Sequence, residues 1–433
     1  MSQKSALIAR TIHDLDSIRG ACRKNFHVEK IRYDEAPDWG YIDGALQHRS
    51  KGFFSIVGAT FEAAEKTHHR LMLYQPQAAI TGLLYTVMEG EAFFLIQARA
   101  EPGCVDEVQF GPTIQSTPAN YMRLHGGTTS PYAYAFIAYD PRVRIVGDTT
   151  QSDLGERYLM KSKRLVVAEY QGEIATEPGF VWASASAISE ALTRSTFLNI
   201  DLRSLLALTP WTMRGSGKSL YPASKRAQKS LHRPVRSDVM GAIFAKLKPR
   251  MTSVGSTPLD QLPNWSIDEW GIHETEPRQG FSVEFYRVQT AFREVSTWSQ
   301  PLINSHGRGY CGLACRESAE GIEMQVRIIE ESGLALGYGI GPSILNYPGT
   351  ADKSEPASAE HMTSLVLTIE SDEGGRFFKD ESIYELFMTT DANTSTNPNS
   401  AWINLAELKL LLNTSNVCTI QLRNLASHLL IMA

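Results

Sequence analysis

Gln97, Arg99 and Glu101 alternate with Ala98 and Ala100 in the run Gln97-Ala-Arg-Ala-Glu-Pro-Gly103. Successive side chains on an extended strand point to opposite faces, so these three polar groups share one face and Ile96 and Ala98 share the other. Such a stripe suits either a solvent face or a binding surface, in which Arg99 would meet a carbonyl or phosphate oxygen. Pro112, Gln115, Thr117, Asn120 and Tyr121 follow. The amide, hydroxyl and phenol groups among them match the donors and acceptors of a neutral, polyhydroxylated ligand. His125, before Gly126-Gly127, is either a turn histidine or an acid–base group that titrates near neutrality.

Other candidate motifs fail on spacing. The Gly215-Ser-Gly-Lys-Ser219 run has Thr212 where a phosphate-binding loop needs its first glycine, and Pro210 precedes it rather than a strand. It is expected to be a flexible loop. Cys311 and Cys315 are four apart with no second pair or histidine at zinc-like spacing, and His68-His69 reads as surface. There is no G-x-S-x-G elbow, no H-E-x-x-H and no dinucleotide-binding glycine fingerprint.

The elements that must position these residues are mostly strands. Phe53–Gly58, Ile80–Met88, Ala92–Arg99, Val105–Phe110, Val143–Gly147 and Tyr158–Tyr170 are rich in β-branched and aromatic residues and are separated by turn formers. Apolar residues at helical spacing follow at Ile188, Leu192, Leu202, Leu205 and Leu206, and again at Leu405, Leu408, Leu411, Leu412, Leu422, Leu425 and Leu429. Strands followed by helices predict an α+β sandwich. The 433 residues suit two domains. A net charge of −5 argues against a general nucleic-acid binder. No apolar run approaches the ~18 residues a membrane span needs. The charged N-terminus and five scattered cysteines suit a cytoplasmic protein.

The chain also matches itself. Asp34, Pro37 and Trp39 recur 226 residues later as Asp260, Pro263 and Trp265. Gly82-Leu83, Glu101, Gly103 and Gly111-Pro112 recur at an offset of 230, as Gly312-Leu313, Glu331, Gly333 and Gly341-Pro342. Ser152-Asp153, Gly155 and Arg157 recur at 219, and Trp182, Leu202-Arg203 and Leu205 at 220. An ordered series of this kind means tandem duplication. The fall from 230 to 219 gives the first copy about eleven extra residues between Pro112 and Ser152. The copies are expected at 1–212 and 251–433. The joining segment 213–250 is basic, with ten Lys/Arg against the single acid Asp238, and a helix is expected over Ser237–Leu247. Only the first copy keeps the glutamine and arginine beside its glutamate, because the second reads Arg327-Ile-Ile329-Glu-Glu331-Ser-Gly333.

At Gln97–Gly103, Gly111–Gln115, Asn120-Tyr121 and His125-Gly126 the sequence resembles the NDP-hexose 2,3-dehydratases of deoxysugar biosynthesis. Gln75-Pro76, the Gln151–Arg157 run and Asn199–Leu206 extend the resemblance over nearly the whole chain. It implies two tandem Nudix-like domains, a homodimer, and dehydration of an NDP-4-keto-6-deoxyhexose. A downstream NDP-sugar 3-ketoreductase is implied as well. The second copy departs from the family pattern: Ser332 stands in place of proline, Ile329 in place of a basic residue, and Leu345 opposite Gln115. A Nudix hydrolase box is also absent, so neither a divalent metal nor pyrophosphate hydrolysis is expected.

The implied reaction needs no redox cofactor. A ketone at C4 acidifies the C3 hydrogen, and its removal places charge on the C4 oxygen. Loss of the C2 hydroxyl then needs a proton donor, and the enol product tautomerises to a 3,4-diketone. For this reaction the residue types offer Glu101 or His125 as base and Tyr121 as acid. Gln97, Arg99, Gln115, Thr117 and Asn120 would be substrate contacts. Two alternatives remain at this point: a relative repurposed for another elimination or cyclisation, and a non-catalytic nucleotide-sugar-binding protein.

Overall fold

The computed structural model describes residues 6–23, 26–63, 66–117, 130–172, 175–221, 231–247, 253–276, 279–290, 296–319, 321–349, 362–390 and 397–432. Both copies build the same architecture: a large mixed sheet, a smaller antiparallel sheet and a pair of helices that closes the copy.

The first large sheet runs in the order Ile8–Ala9, Phe180–Ser184, Glu91–Ala100, Ala79–Met88, Ser162–Tyr170, Val143–Ser152. Two short strands extend it, Val108–Gly111 against Glu91–Ala100 and Ile114–Ser116 against Ala79–Met88. The second large sheet repeats the pattern with Tyr338–Pro342, Gly321–Glu330, Gly309–Ser318, Glu381–Thr389 and Met362–Ser371, plus Ile344–Asn346 and Ser400–Asn404. In each sheet one central pair is parallel, Ala79–Met88 with Ser162–Tyr170 and Gly309–Ser318 with Glu381–Thr389. Even the irregularities repeat: a bulge falls between Ile145 and Gly147, and another between Ser364 and Val366, 219 residues later.

The closing helices start where side-chain oxygens cap them. Asn199 accepts from Leu202 N at 2.8 Å to open Ile200–Leu208, and its repeat counterpart Thr419 accepts from Leu422 N at 3.3 Å to open Ile420–His428. These two helices pack on each other, and every residue of both is buried. Their buried arginines find partners. Arg203 forms an ion pair with Glu370 at 2.8 Å and meets His428 Nε2 at 3.1 Å, while Arg423 donates to Cys418 O at 2.6 Å.

The copies are interlocked by strand exchange. His27–Ile31, early in the first copy, pairs with Phe281–Gln289 of the second. Ser253–Thr257, its counterpart 226 residues later, pairs with Ser55–Ala63 of the first. Each small sheet is therefore completed by the other copy, which covers a strand edge that would otherwise be open. Loops cross in the same reciprocal way. Gly103 N donates to Gly374 O at 2.7 Å, and Gly333 N donates to Gly155 O at 3.1 Å. Arg157 lies over the ring of Phe281 at 4.4 Å, and Arg376 over that of Phe54 at 4.2 Å.

Several expected boundaries move. The strand expected over Tyr158–Tyr170 begins at Ser162, because Tyr158 sits in a turn whose neighbouring backbone bonds to Leu73. That over Val105–Phe110 begins at Val108, after a turn in which Glu107 has a φ of 63°. The helix expected over Ser237–Leu247 forms over Ser237–Lys246 and precedes the strand Ser253–Thr257 as Ile12–Cys22 precedes His27–Ile31. His68 and His69 are exposed, and 215–219 forms a turn. Among the described residues no helix is long and apolar enough to cross a membrane.

Candidate active site

The polar stripe forms as the alternation requires. On Glu91–Ala100, Ile96 and Ala98 are buried in the core, while Gln97 and Arg99 are half-buried on the opposite face. Arg99 ties the stripe together: Nη1 donates to Gln97 Oε1 at 3.1 Å, and Nη2 and Nε donate to Glu101 Oε1 at 3.1 and 3.3 Å. Glu101 begins the turn that ends the strand, accepting from Cys104 N through its carbonyl at 3.1 Å. That turn is pressed against the second copy. A Cβ on Gly103 would lie 1.5 Å from Phe377 O, so only glycine fits.

Gln115, on Ile114–Ser116, belongs to a second group. Its Nε2 donates to Asp201 Oδ2 at 2.6 Å, and its Oε1 accepts from Asn199 Nδ2 at 3.3 Å. The two groups meet at Gly111. A Cβ there would lie 2.5 Å from Arg99 Cδ and 2.9 Å from Asn199 Nδ2, so the missing side chain makes room for the Arg99 stem and the Asn199 amide. Thr117 is half-buried just beyond, its carbonyl accepting from Ser116 Oγ at 3.4 Å. Asn120, Tyr121 and His125 lie outside the described residues.

Behind Gln115 lies a charged cluster that spacing alone did not single out. Lys163 Nζ is 3.1 Å from both Asp201 oxygens, 3.0 Å from Asp153 Oδ2 and 3.1 Å from Glu373 Oε2. Lys161 Nζ is 3.2 Å from Asp153 and 3.2 Å from Glu373. Burial alone would push Lys163 towards neutrality, but Asp153, Asp201 and Glu373 together hold its pKa well above the ordinary lysine range. Burial likewise raises Glu373, yet Lys161, Lys163 and Arg376 outweigh it and hold the carboxyl well below its usual range. Asp201 goes the other way: burial raises it, and the attraction of Lys163 does not offset burial together with the repulsion of Glu373 and Asp153. The available signals were the Lys161-Ser-Lys163 alternation and the Asn199-Ile-Asp201 pair. Both resemble ordinary solvated positions until the fold buries them.

The second copy holds different chemistry at the same places. Ile329 lies over Gly341 as Arg99 lies over Gly111, with Ile329 Cδ1 2.4 Å from where a Cβ would stand. Leu345 replaces Gln115, Thr419 replaces Asn199, Gln421 replaces Asp201 and Ser382 replaces Lys163. Tyr347, the counterpart of Thr117, donates its hydroxyl to Glu331. Burial raises the Glu331 carboxyl, against the pull of Tyr347 and Arg70.

The profile of the NDP-hexose 2,3-dehydratase family matches residues 15–209 and 238–429, one match in each copy. A protein of Saccharopolyspora spinosa described as dTDP-4-dehydro-6-deoxy-alpha-D-glucopyranose 2,3-dehydratase is 26% identical over 429 residues, covering 94% of this chain and 88% of that one. A protein of the same description from Streptomyces violaceoruber is 27% identical over 430 residues, 94% of each chain. Another, from Amycolatopsis orientalis, is 27% identical over 426 residues, 92% of this chain and 86% of that one. The chain belongs to the NDP-hexose 2,3-dehydratase family.

Proposed function

We propose that the first copy binds an NDP-4-keto-6-deoxyhexose at the face of Gln97, Arg99 and Gln115 and removes water across C2 and C3. One observation carries this reading: Arg99 bridges Gln97 and Glu101, and its stem and the Asn199 amide share the space over Gly111, whereas apolar Ile329 and Leu345 stand at the matching places of the second copy. In this reading the guanidinium stabilises the negative charge that develops on the C4 oxygen, without a metal. Glu101, held beside Arg99, or His125 removes the C3 proton, and Tyr121 protonates the departing C2 hydroxyl. Gln97, Gln115, Thr117 and Asn120 hold the sugar through neutral hydrogen bonds. The carboxylates of Asp153, Asp201 and Glu373 are each bound to a lysine ammonium, which supports the choice of hydrogen-bond donors as the electrophile.

The wider reading follows the resemblance. The two copies, 1–212 and 251–433 with 213–250 between them, are read as Nudix-like domains in a cytoplasmic homodimer, and an NDP-sugar 3-ketoreductase consumes the diketone. The test is incubation of the purified protein with dTDP-4-keto-6-deoxyglucose, followed by mass spectrometry. Loss of one water without added cofactor is the expected result. Tight binding without turnover would instead establish a binding protein, and neither binding nor turnover would point to a repurposed enzyme.

A further inference from the structure

Glu373 belongs to the second copy, yet its carboxylate lies among first-copy residues. Its Oε2 is 3.1 Å from Lys163 Nζ, 3.2 Å from Lys161 Nζ and 3.4 Å from the hydroxyl of Tyr158. The next residue, Gly374, accepts the backbone bond from Gly103, and a Cβ on it would lie 3.0 Å from Glu101 Cβ. The loop carrying Glu373 therefore forms one wall behind the proposed active site. An ammonium has three protons to give, and Lys163 donates to both oxygens of Asp201 and to Glu373 Oε2, with Asp153 beside it as a further ion-pair partner at 3.0 Å. With every donor used, the ammonium has one position. It holds Asp201, which orients the amide of Gln115.

The internal repeat supplies a comparison within this one chain. By the offsets of 219, 220 and 230, Glu373, Lys163, Asp201, Gln115 and Asn199 answer to Leu154, Ser382, Gln421, Leu345 and Thr419. These five links are polar on one side and carry no charge on the other, whereas the two remaining members, Asp153 and Lys161, answer to the acidic Asp372 and Asp380. The backbone crossings occur on both sides, and the mirror side has its own buried group of Asp372, Asp380 and Arg157, but the chain of contacts that leads to Gln115 exists on one side only.

We propose that Glu373 is a positioning residue supplied by the second copy, acting through Lys163 and Asp201 to set the amide of Gln115 in the first copy's pocket. The pocket is thus incomplete without the second copy. The proposal rests on the reading of the first copy as the active one, and its test separates the two. Glu373→Gln keeps the shape and removes the charge; Glu373→Asp keeps the charge. In a crystal structure of Glu373→Gln, the Gln115 amide should leave Asp201, and an unchanged Gln115–Asp201 bond would overturn the proposal whatever the activity. In kinetics with dTDP-4-keto-6-deoxyglucose, Glu373→Gln should lower kcat/KM about tenfold or more. Glu373→Asp should recover part of that loss, and Glu373→Gln should cost nothing further in a Gln115→Leu background. Losses that multiply in full, or equal losses in Gln and Asp, would also overturn it. An inactive parent protein would sink the functional reading alone, because the crystallographic outcome still decides the role of Glu373.

Discussion

Arg99 and Ile329 stand at the same place in two copies of one fold, and the proposed chemistry lies in the copy that carries the arginine. Arg99 presents a planar fork to Gln97 and Glu101, an arrangement an aliphatic side chain cannot reproduce. The two glutamates that end the matching strands should therefore respond differently to the same change. Glu101→Gln should lower kcat for dehydration by about a hundredfold or more, the range expected for a general base or its close support. Glu331→Gln should leave kcat within about twofold, since that carboxyl is buried under Tyr347 and already biased towards its neutral form. Steady-state assays on both variants, with folding checked by circular dichroism, decide the matter. Equal losses would mean that both copies contribute to turnover.

Turns and glycines carry the site at the scale of elements. Gly103 and Gly111 both have close neighbours, but of different kinds. A Cβ on Gly103 would strike backbone, 1.5 Å from Phe377 O, and backbone between interlocked copies cannot give way. Gly103→Ala should cost about 3 kcal/mol or more and lower the melting temperature sharply. A Cβ on Gly111 would strike the Arg99 and Asn199 side chains, which can swing aside. Gly111→Ala should therefore melt near the parent while losing most of its activity. If thermal melts and turnover fell together in both variants, this distinction would be wrong. The strand carrying Gln97 and Arg99 was legible because its alternation is regular. The starts of Val108–Gly111 and Ser162–Tyr170 were not, because Glu107 closes a local turn with Glu101 and Cys104, and Arg157 and Leu159 bond to the distant Leu73.

Across the whole molecule, the exchanged strands and the helix pair make the two copies one body. On the strand Met362–Ser371, facing Arg203 of the helix pair, Glu370 is pushed up to about 7: burial raises it, and Arg203 and Thr368 pull against that. Its first-copy counterpart is the neutral Gln151. A carboxyl raised in the folded state stabilises the fold fully below its unfolded pKa, near 4.5, and this contribution is lost as pH rises through about 7. The amount at stake is about 3 kcal/mol. Glu370→Gln is neutral at every pH, so between pH 5 and 8 its melting temperature should fall less with rising pH than the parent's. Parallel curves in calorimetry would count against this assignment. His428, also against Arg203, is held well below its ordinary pKa by burial and by that arginine, so its effect runs the other way, with stability lost as pH falls below about 6.5.

The duplication, the α+β character and the stripe of Gln97, Arg99 and Glu101 were readable in the sequence by itself. Each rests on local spacing or on self-similarity along the chain, and neither needs knowledge of which segments meet. The family could be recognised for the same reason, since its motifs are contiguous runs. Only the tertiary structure decided that His27–Ile31 and Ser253–Thr257 trade places between copies. It alone brought Asn199, Asp201, Lys163 and Glu373 behind Gln115, from segments as far apart as residues 115 and 373. A lysine or a glutamate in a sequence looks like solvated surface. Burial turns it into a fixed charge with a defined partner, and burial belongs to the packed molecule rather than to any stretch of chain.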